Sequence, residues 1–106
     1  MSKIVASISV VPIGTSGTSV SHYVSRAISV VEKMGIHYRV GAGFTDLELD
    51  DYRQLASLME AIEAELAEMG VARIDFFVKV DRRLDADLTI DGKVSKVKVS
   101  TKASDH

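Results

Sequence analysis

Apolar residues along this chain alternate between two periods, and each change of period marks a boundary between elements. From Lys3 to Val11 the stretch "KIVASISVV" is rich in β-branched residues and places Ile4, Ala6, Ile8 and Val10 on one face of an extended segment. This predicts a first strand, closed by Pro12 and Gly14. The period then lengthens. Val20, Tyr23, Val24, Ala27, Ile28, Val31 and Met34 form one stripe of a helix, and Gly35 supplies its stop. Alternation returns from Ile36 to Phe44, with Ile36, Tyr38, Val40, Ala42 and Phe44 on one face, which predicts a second strand weakened by Gly41 and Gly43. "TDLELD", Thr45 to Asp50, reads as a short third strand or as the far half of a bent one.

A second helix is predicted from about Asp51 to Met69, with Tyr52, Leu55, Met59, Ile62, Leu66 and Met69 as its buried stripe. Asp50 or Asp51 can cap it and Gly70 can end it. "ARIDFFVKVD" then buries Ile74, Phe76, Val78 and Val80 on one face of a last strand. The tail "LTIDGKVSKVKV" supports two readings. Asp91-Gly92 is a hairpin signal, while Val94 and Val97 also suit one face of a short helix.

The order is therefore strand, helix, strand, strand, helix, strand. It predicts an α+β chain of the ferredoxin-like βαββαβ type: a four-stranded antiparallel sheet with two helices on one face. The other face is then left with Val5, Ser7, Ser9, Val11, Arg39, Glu48, Phe77 and Lys79, a mixture of apolar and charged groups that suits a subunit contact.

Composition narrows the function classes. A chain of 106 residues, 46% apolar and 26% charged, is enough for one core, so residues 1–106 are expected to form a single domain, with a disordered tail from about residue 99. A net charge of −2 argues against nucleic acid as a partner. The absence of cysteine removes disulfides and thiolate metal sites from consideration. "IVASISVV" is too short to span a bilayer, and no basic leader precedes it. A cytoplasmic protein with no membrane partner is expected.

Signals for catalysis are sparse. His22, His37 and His106 have no ligand-like spacing, and neither a Gly-x-Ser-x-Gly nor a P-loop pattern is present. No Arg or Lys lies between Pro12 and Tyr23, which disfavours an acylphosphatase-like enzyme. The open face lacks the aromatic platform of an RNA-binding sheet of this topology. His106 is expected to be mobile.

Three stretches retain candidate chemistry. "GTSGTS" runs into the first helix and offers backbone N–H groups and hydroxyls to a polar ligand, although local chemistry favours the simpler reading in which Thr18 or Ser19 is the N-cap and the glycines make the turn. In "GAGFTDLE", glycines permit close approach of a ligand, Phe44 can stack, and Thr45 and Glu48 can hydrogen-bond an amino heterocycle; a hairpin bend with Phe44 in the core is the alternative. In "KVDRRLD", Asp81 and Arg83 are expected to pair in a structural or intersubunit role.

Together these motifs resemble those of the small thiamine-binding protein family, formerly an uncharacterised protein family of archaea, bacteria and yeast. The family's Pro-x-Gly-Thr, then Thr-Ser-x-Ser-x-Tyr-Val, is matched by Pro12, Gly14, Thr15, Thr18, Ser19, Ser21, Tyr23 and Val24. Its Thr-x-x-Glu is matched by Thr45 and Glu48, and its Lys-x-Asp-x-Arg by Lys79, Asp81 and Arg83. The likeness runs from about Ile4 to Lys98. It departs where many relatives carry a Gly-Met-Gly-type triplet and this chain has Ala42, Gly43 and Phe44.

The resemblance implies a ferredoxin-like fold, a short C-terminal helix over Lys93 to Lys98, and dimers that pair into tetramers. It also implies non-enzymatic binding of thiamine or its hydroxymethylpyrimidine moiety, with no cofactor, as carrier, buffer or sensor. Ser16, Thr18, Ser19, Tyr23, Phe44, Thr45 and Glu48 are the expected ligand-binding residues. The alternative is an interaction module that assembles through its open sheet face and binds no small molecule.

Overall fold

The computed structural model describes residues 4–104, with side chains as far as residue 98. Expectations for His106 and for side chains of the tail lie outside the described residues. The order is β1 (Ile4–Ile13), α1 (Ser21–Lys33), β2 (Tyr38–Val40), β3 (Thr45–Leu49), α2 (Tyr52–Glu68), β4 (Arg73–Arg82) and α3 (Ile90–Ser104). All sheet pairings are antiparallel, in the spatial order β2-β3-β1-β4. The fold is the predicted ferredoxin-like α+β arrangement, with α3 added.

The core lies between α1, α2 and one face of the sheet. Ile4, Ala6 and Ile8 of β1 meet Leu47 and Leu49 of β3 there, all of them buried. From the helices come Ala27, Val30 and Val31, and Leu55, Leu58, Ile62 and Leu66. Complete burial of a leucine such as Leu58 contributes roughly 1.5–3 kcal/mol. The α2 stripe is rotated from the predicted one: Leu58 is buried and Tyr52 is exposed, with the Arg82 guanidinium over its ring. Tyr52 is the first residue of α2.

Both helices end as their glycines require. Gly35 and Gly70 have φ of 69° and 89°, and the following amides, Ile36 N–H and Val71 N–H, donate back to the carbonyls of Val31 and Leu66. The N-termini differ. Asp51 caps α2 by accepting from Gln54 N–H at 2.8 Å. For α1 neither Thr18 nor Ser19 is the cap; Val20 holds that position and makes no side-chain capping bond. Ser19 lies instead against Ser21, hydroxyl to hydroxyl at 3.2 Å.

Two strands depart from their predicted bounds. β1 continues through Pro12 to Ile13, because β3 pairs with it only as far as Ile8 and leaves one edge open beyond that point. The second strand shrinks to Tyr38–Val40, and Gly41 to Phe44 become the loop of the β2–β3 hairpin. Gly41 N–H donates to the Phe44 carbonyl at 2.9 Å, and a β-carbon on Gly41 would stand 2.7 Å from that oxygen. Only glycine fits there without shifting the backbone.

The largest departure concerns the second face of the sheet, which is partly covered. The tail is a helix that starts earlier than expected, at Ile90, and Asp91-Gly92 sits in its first turn rather than in a hairpin. Thr89 Oγ1 accepts from Gly92 N–H at 3.0 Å, and Glu48 Oε1 accepts from Ile90 N–H at 2.7 Å. Two otherwise orphaned amides are thereby satisfied. Leu88 and Ile90 bury against Val5, forming a second, smaller core. Asp81 pairs with Lys93 and Arg83 pairs with Asp85, so the expected Asp81–Arg83 pair is replaced by two others. Arg83 lies just past the end of β4, two residues before its partner Asp85.

Candidate functional site

The hairpin loop Gly41–Phe44 stands at the sheet edge beside α1, and a cleft opens between them. Ile8 and Val10 of β1 form its floor, and Val24, Ala27, Ile28 and Val31 of α1 form a wall. Val40, Phe44 and Thr45 make the opposite side. The cavity volume is about 90 Å³, and none of the side chains that line it carries a charge. The small Ala27 leaves the space that a larger stripe residue would fill.

Thr45 is 7% exposed, the one buried polar side chain among the described residues, and it lines the cleft. Phe44 and Val40 are 45% and 55% exposed, so the mouth is apolar and open to solvent. The chemistry available is thus an apolar slot, the buried Thr45 hydroxyl, the peptide groups of Gly41 to Gly43 and an aromatic face at the entrance.

A second concavity, of about 380 Å³, lies at the end of β1. The first loop contributes Gly14, Thr15 and Ser16, α1 contributes Tyr23, and the α2–β4 turn contributes Met69 to Ala72. The Tyr23 ring stands 3.9 Å from that of His22.

The seven expected ligand-binding residues therefore divide among four places. Phe44 and Thr45 share the first cleft, and Ser16 and Tyr23 share the second concavity. Thr18 and Ser19 are exposed in the first loop and line neither. Glu48 is on the far face of the sheet, holding α3. Thr45 and Glu48 are three residues apart on one strand, and a strand sends such a pair to opposite faces. The α1 wall and Ile8 had been legible only as core positions. The signal that a cleft adjoins them is the small Ala27 opposite a glycine-containing loop.

Electrostatic perturbation is found away from both openings. The Lys93 ammonium bonded to Asp81 holds that carboxyl below the usual range, against a smaller opposing effect of desolvation. Arg83 does the same for Asp85. Tyr38 donates its hydroxyl to Glu32, which raises the phenol's pKa. These pairs fasten α3, the β4–α3 connection and the α1–β2 junction.

Residues 6–98 match the sequence profile of a family described as thiamine-binding protein. The chain belongs to this family. A UPF0045 protein of Methanothermobacter thermautotrophicus is 34% identical over 95 residues, covering 90% of this chain and 96% of its own. A UPF0045 protein of Methanocaldococcus jannaschii is 36% identical over 97 residues, covering 92% and 94%. The crystal structure of a hypothetical protein from M. jannaschii, also 36% identical, gives a TM-score of 0.78 with coverage of 92% and 98%. A candidate thiamine biosynthesis/salvage protein from Thermotoga maritima gives 0.74 at 26% identity, covering 90% of this chain and 98% of that one.

Membership in the thiamine-binding protein family fits a small-molecule ligand. Among the described residues no helix is long and apolar enough to cross a membrane.

Proposed function

We propose that this member of the thiamine-binding protein family is a cytoplasmic, non-enzymatic binder of thiamine or its hydroxymethylpyrimidine moiety, acting as carrier or buffer and needing no cofactor. The observation that carries this reading is the uncharged cleft between α1 and the Gly41–Phe44 loop, with Thr45 inside it and Phe44 at its mouth. The hydroxyl can bond one edge of an aminopyrimidine while the aliphatic walls cover its faces. The separate concavity at Ser16 and Tyr23 is wide enough to take a second small molecule.

Isothermal calorimetry and thermal shift with thiamine test the reading. At a hundred times its dissociation constant the ligand adds about 2.7 kcal/mol. For a chain of this size that corresponds to roughly 10 °C in Tm. The absence of both heat and a thermal shift at millimolar thiamine and millimolar pyrimidine would remove it.

A second reading, self-association through the sheet's second face, has its own support. Beyond α3 that face remains open, with Phe77 54% exposed and opposite Ser9 in the ladder. Dimers that pair into tetramers would cover it. Light scattering that finds only monomers at micromolar concentration would dismiss it. Oligomers with no response to either ligand would favour a purely structural module over the binder.

A further inference from the structure

We infer that the cleft reads a single uncharged heteroaromatic ring and is blind to the phosphorylation state of whatever molecule carries that ring. This rests on the cleft being the ligand site. Two observations on its size and chemistry carry it.

The first is size. The cavity is about 90 Å³. Sites that enclose a whole drug-sized molecule run to roughly 300–1,000 Å³, and a dry cavity of about 150 Å³ already holds benzene. The cleft is smaller than that benzene-holding cavity, so it admits no more than one ring, edge-on, with part of the ring left at the mouth. The remainder of a two-ring or phosphorylated ligand stays outside.

The second is charge. No acidic or basic side chain lines the cleft, and Asp46 and Glu48, the carboxylates nearest in sequence, lie on the other face of the sheet, where Asp46 accepts from the Ser7 hydroxyl and Glu48 from the Ile90 N–H. A cation or phosphate drawn inside would be desolvated with no counter-charge, whereas a neutral ring sacrifices little hydration and meets Thr45 along one edge. Charged groups therefore remain in solvent at the entrance. A ring-borne cation emerging there lies beside the exposed face of Phe44, an arrangement whose contribution at exposed sites amounts to about two- to fivefold in affinity. Phosphates farther out are screened and discriminate little.

The functional consequence is that the protein would hold all species bearing the ring as one pool, so it suits a buffer and is poorly made to sense the diphosphate alone.

The experiment is calorimetry at pH 7.5 with 4-amino-5-hydroxymethyl-2-methylpyrimidine, thiamine, thiamine diphosphate and an isolated thiazolium alcohol. The first three are expected to bind, thiamine about two- to fivefold tighter than the pyrimidine, with Phe44→Ala abolishing that margin. Thiamine and its diphosphate should agree within about threefold and hold that ratio when salt is raised tenfold. Thr45→Val, which keeps the shape and removes the hydroxyl, should weaken all three by about fivefold. The thiazolium alcohol should not bind.

Diphosphate bound more than tenfold tighter than thiamine in a salt-dependent way, or thiazolium bound as well as thiamine, would overturn the inference and leave the thiamine reading standing. Silence toward all four compounds, with binding of an unrelated neutral ring such as nicotinamide that is weakened by Thr45→Val, would overturn the thiamine reading and leave the inference standing. Silence toward every ring would overturn both.

Discussion

Replacing Glu48 distinguishes a ligand group from a structural one. Its Oε1 accepts from Ile90 N–H at 2.7 Å at the start of α3, on the face of the sheet opposite Thr45. Glu48→Ala removes a carboxylate from a helix N-terminus. A lost N-terminal cap costs about 1 kcal/mol, and the lost attraction to the helix dipole adds roughly 0.3–1 kcal/mol. Thr89 still serves Gly92, so α3 is expected to loosen rather than vanish. A combined change near 1.4 kcal/mol corresponds to about a tenfold drop in amide protection. That drop should appear from Ile90 to Val94 in hydrogen exchange, while the amides of β1 and α2 change little. Glu48→Gln keeps an acceptor and loses the charge, so it should fall between wild type and Glu48→Ala. Thiamine affinity should move less than about twofold in both, the scatter expected of a substitution that touches no ligand group. Tenfold weaker thiamine binding with α3 protection intact would refute the placement of Glu48 and return it to the ligand site.

Two further perturbations probe the loop and the α3 clamp. Gly41→Ala puts a β-carbon 2.7 Å from the Phe44 carbonyl oxygen, so the hairpin loop must shift. A loss of about 1–3 kcal/mol in urea denaturation is expected, together with weaker ligand binding, and an unchanged midpoint would contradict the loop geometry. Asp81 has a folded-state pKa depressed below 3.8 by Lys93, so its contribution is present above that value and is lost as pH falls through the folded pKa. Asp81→Asn should therefore flatten the acid limb of the stability curve below about pH 4, and superimposable limbs would show that the pair is inconsequential.

Much of the molecule was legible from local pattern because the physics is local. The strand faces of Ile4, Ala6 and Ile8, the helix stop at Gly35 and the Asp51 cap each follow from side-chain period or from backbone conformation over a few residues. The candidate cleft was half legible: Phe44 and Thr45 stood out as a glycine-flanked aromatic and hydroxyl, and strand parity alone sets Glu48 on the opposite face from Thr45. Whether "GTSGTS" caps α1 was not legible, since several hydroxyls of equal reach compete and the path of the loop decides among them.

The sequence by itself determined the order of elements, which side of each strand faces the helices, and the family. Tertiary structure alone decided what becomes of the tail. Asp91-Gly92 is compatible with a hairpin or with a helix, and the difference is made by partners more than forty residues away, Glu48 for the Ile90 amide and Val5 for the apolar side of Leu88 and Ile90. The cleft, likewise, exists because Gly41 lets the hairpin loop close on itself beside a helix wall that is small at Ala27. Such features depend on which distant groups come to share a volume, and side-chain period, which governs only neighbours along one element, does not encode that.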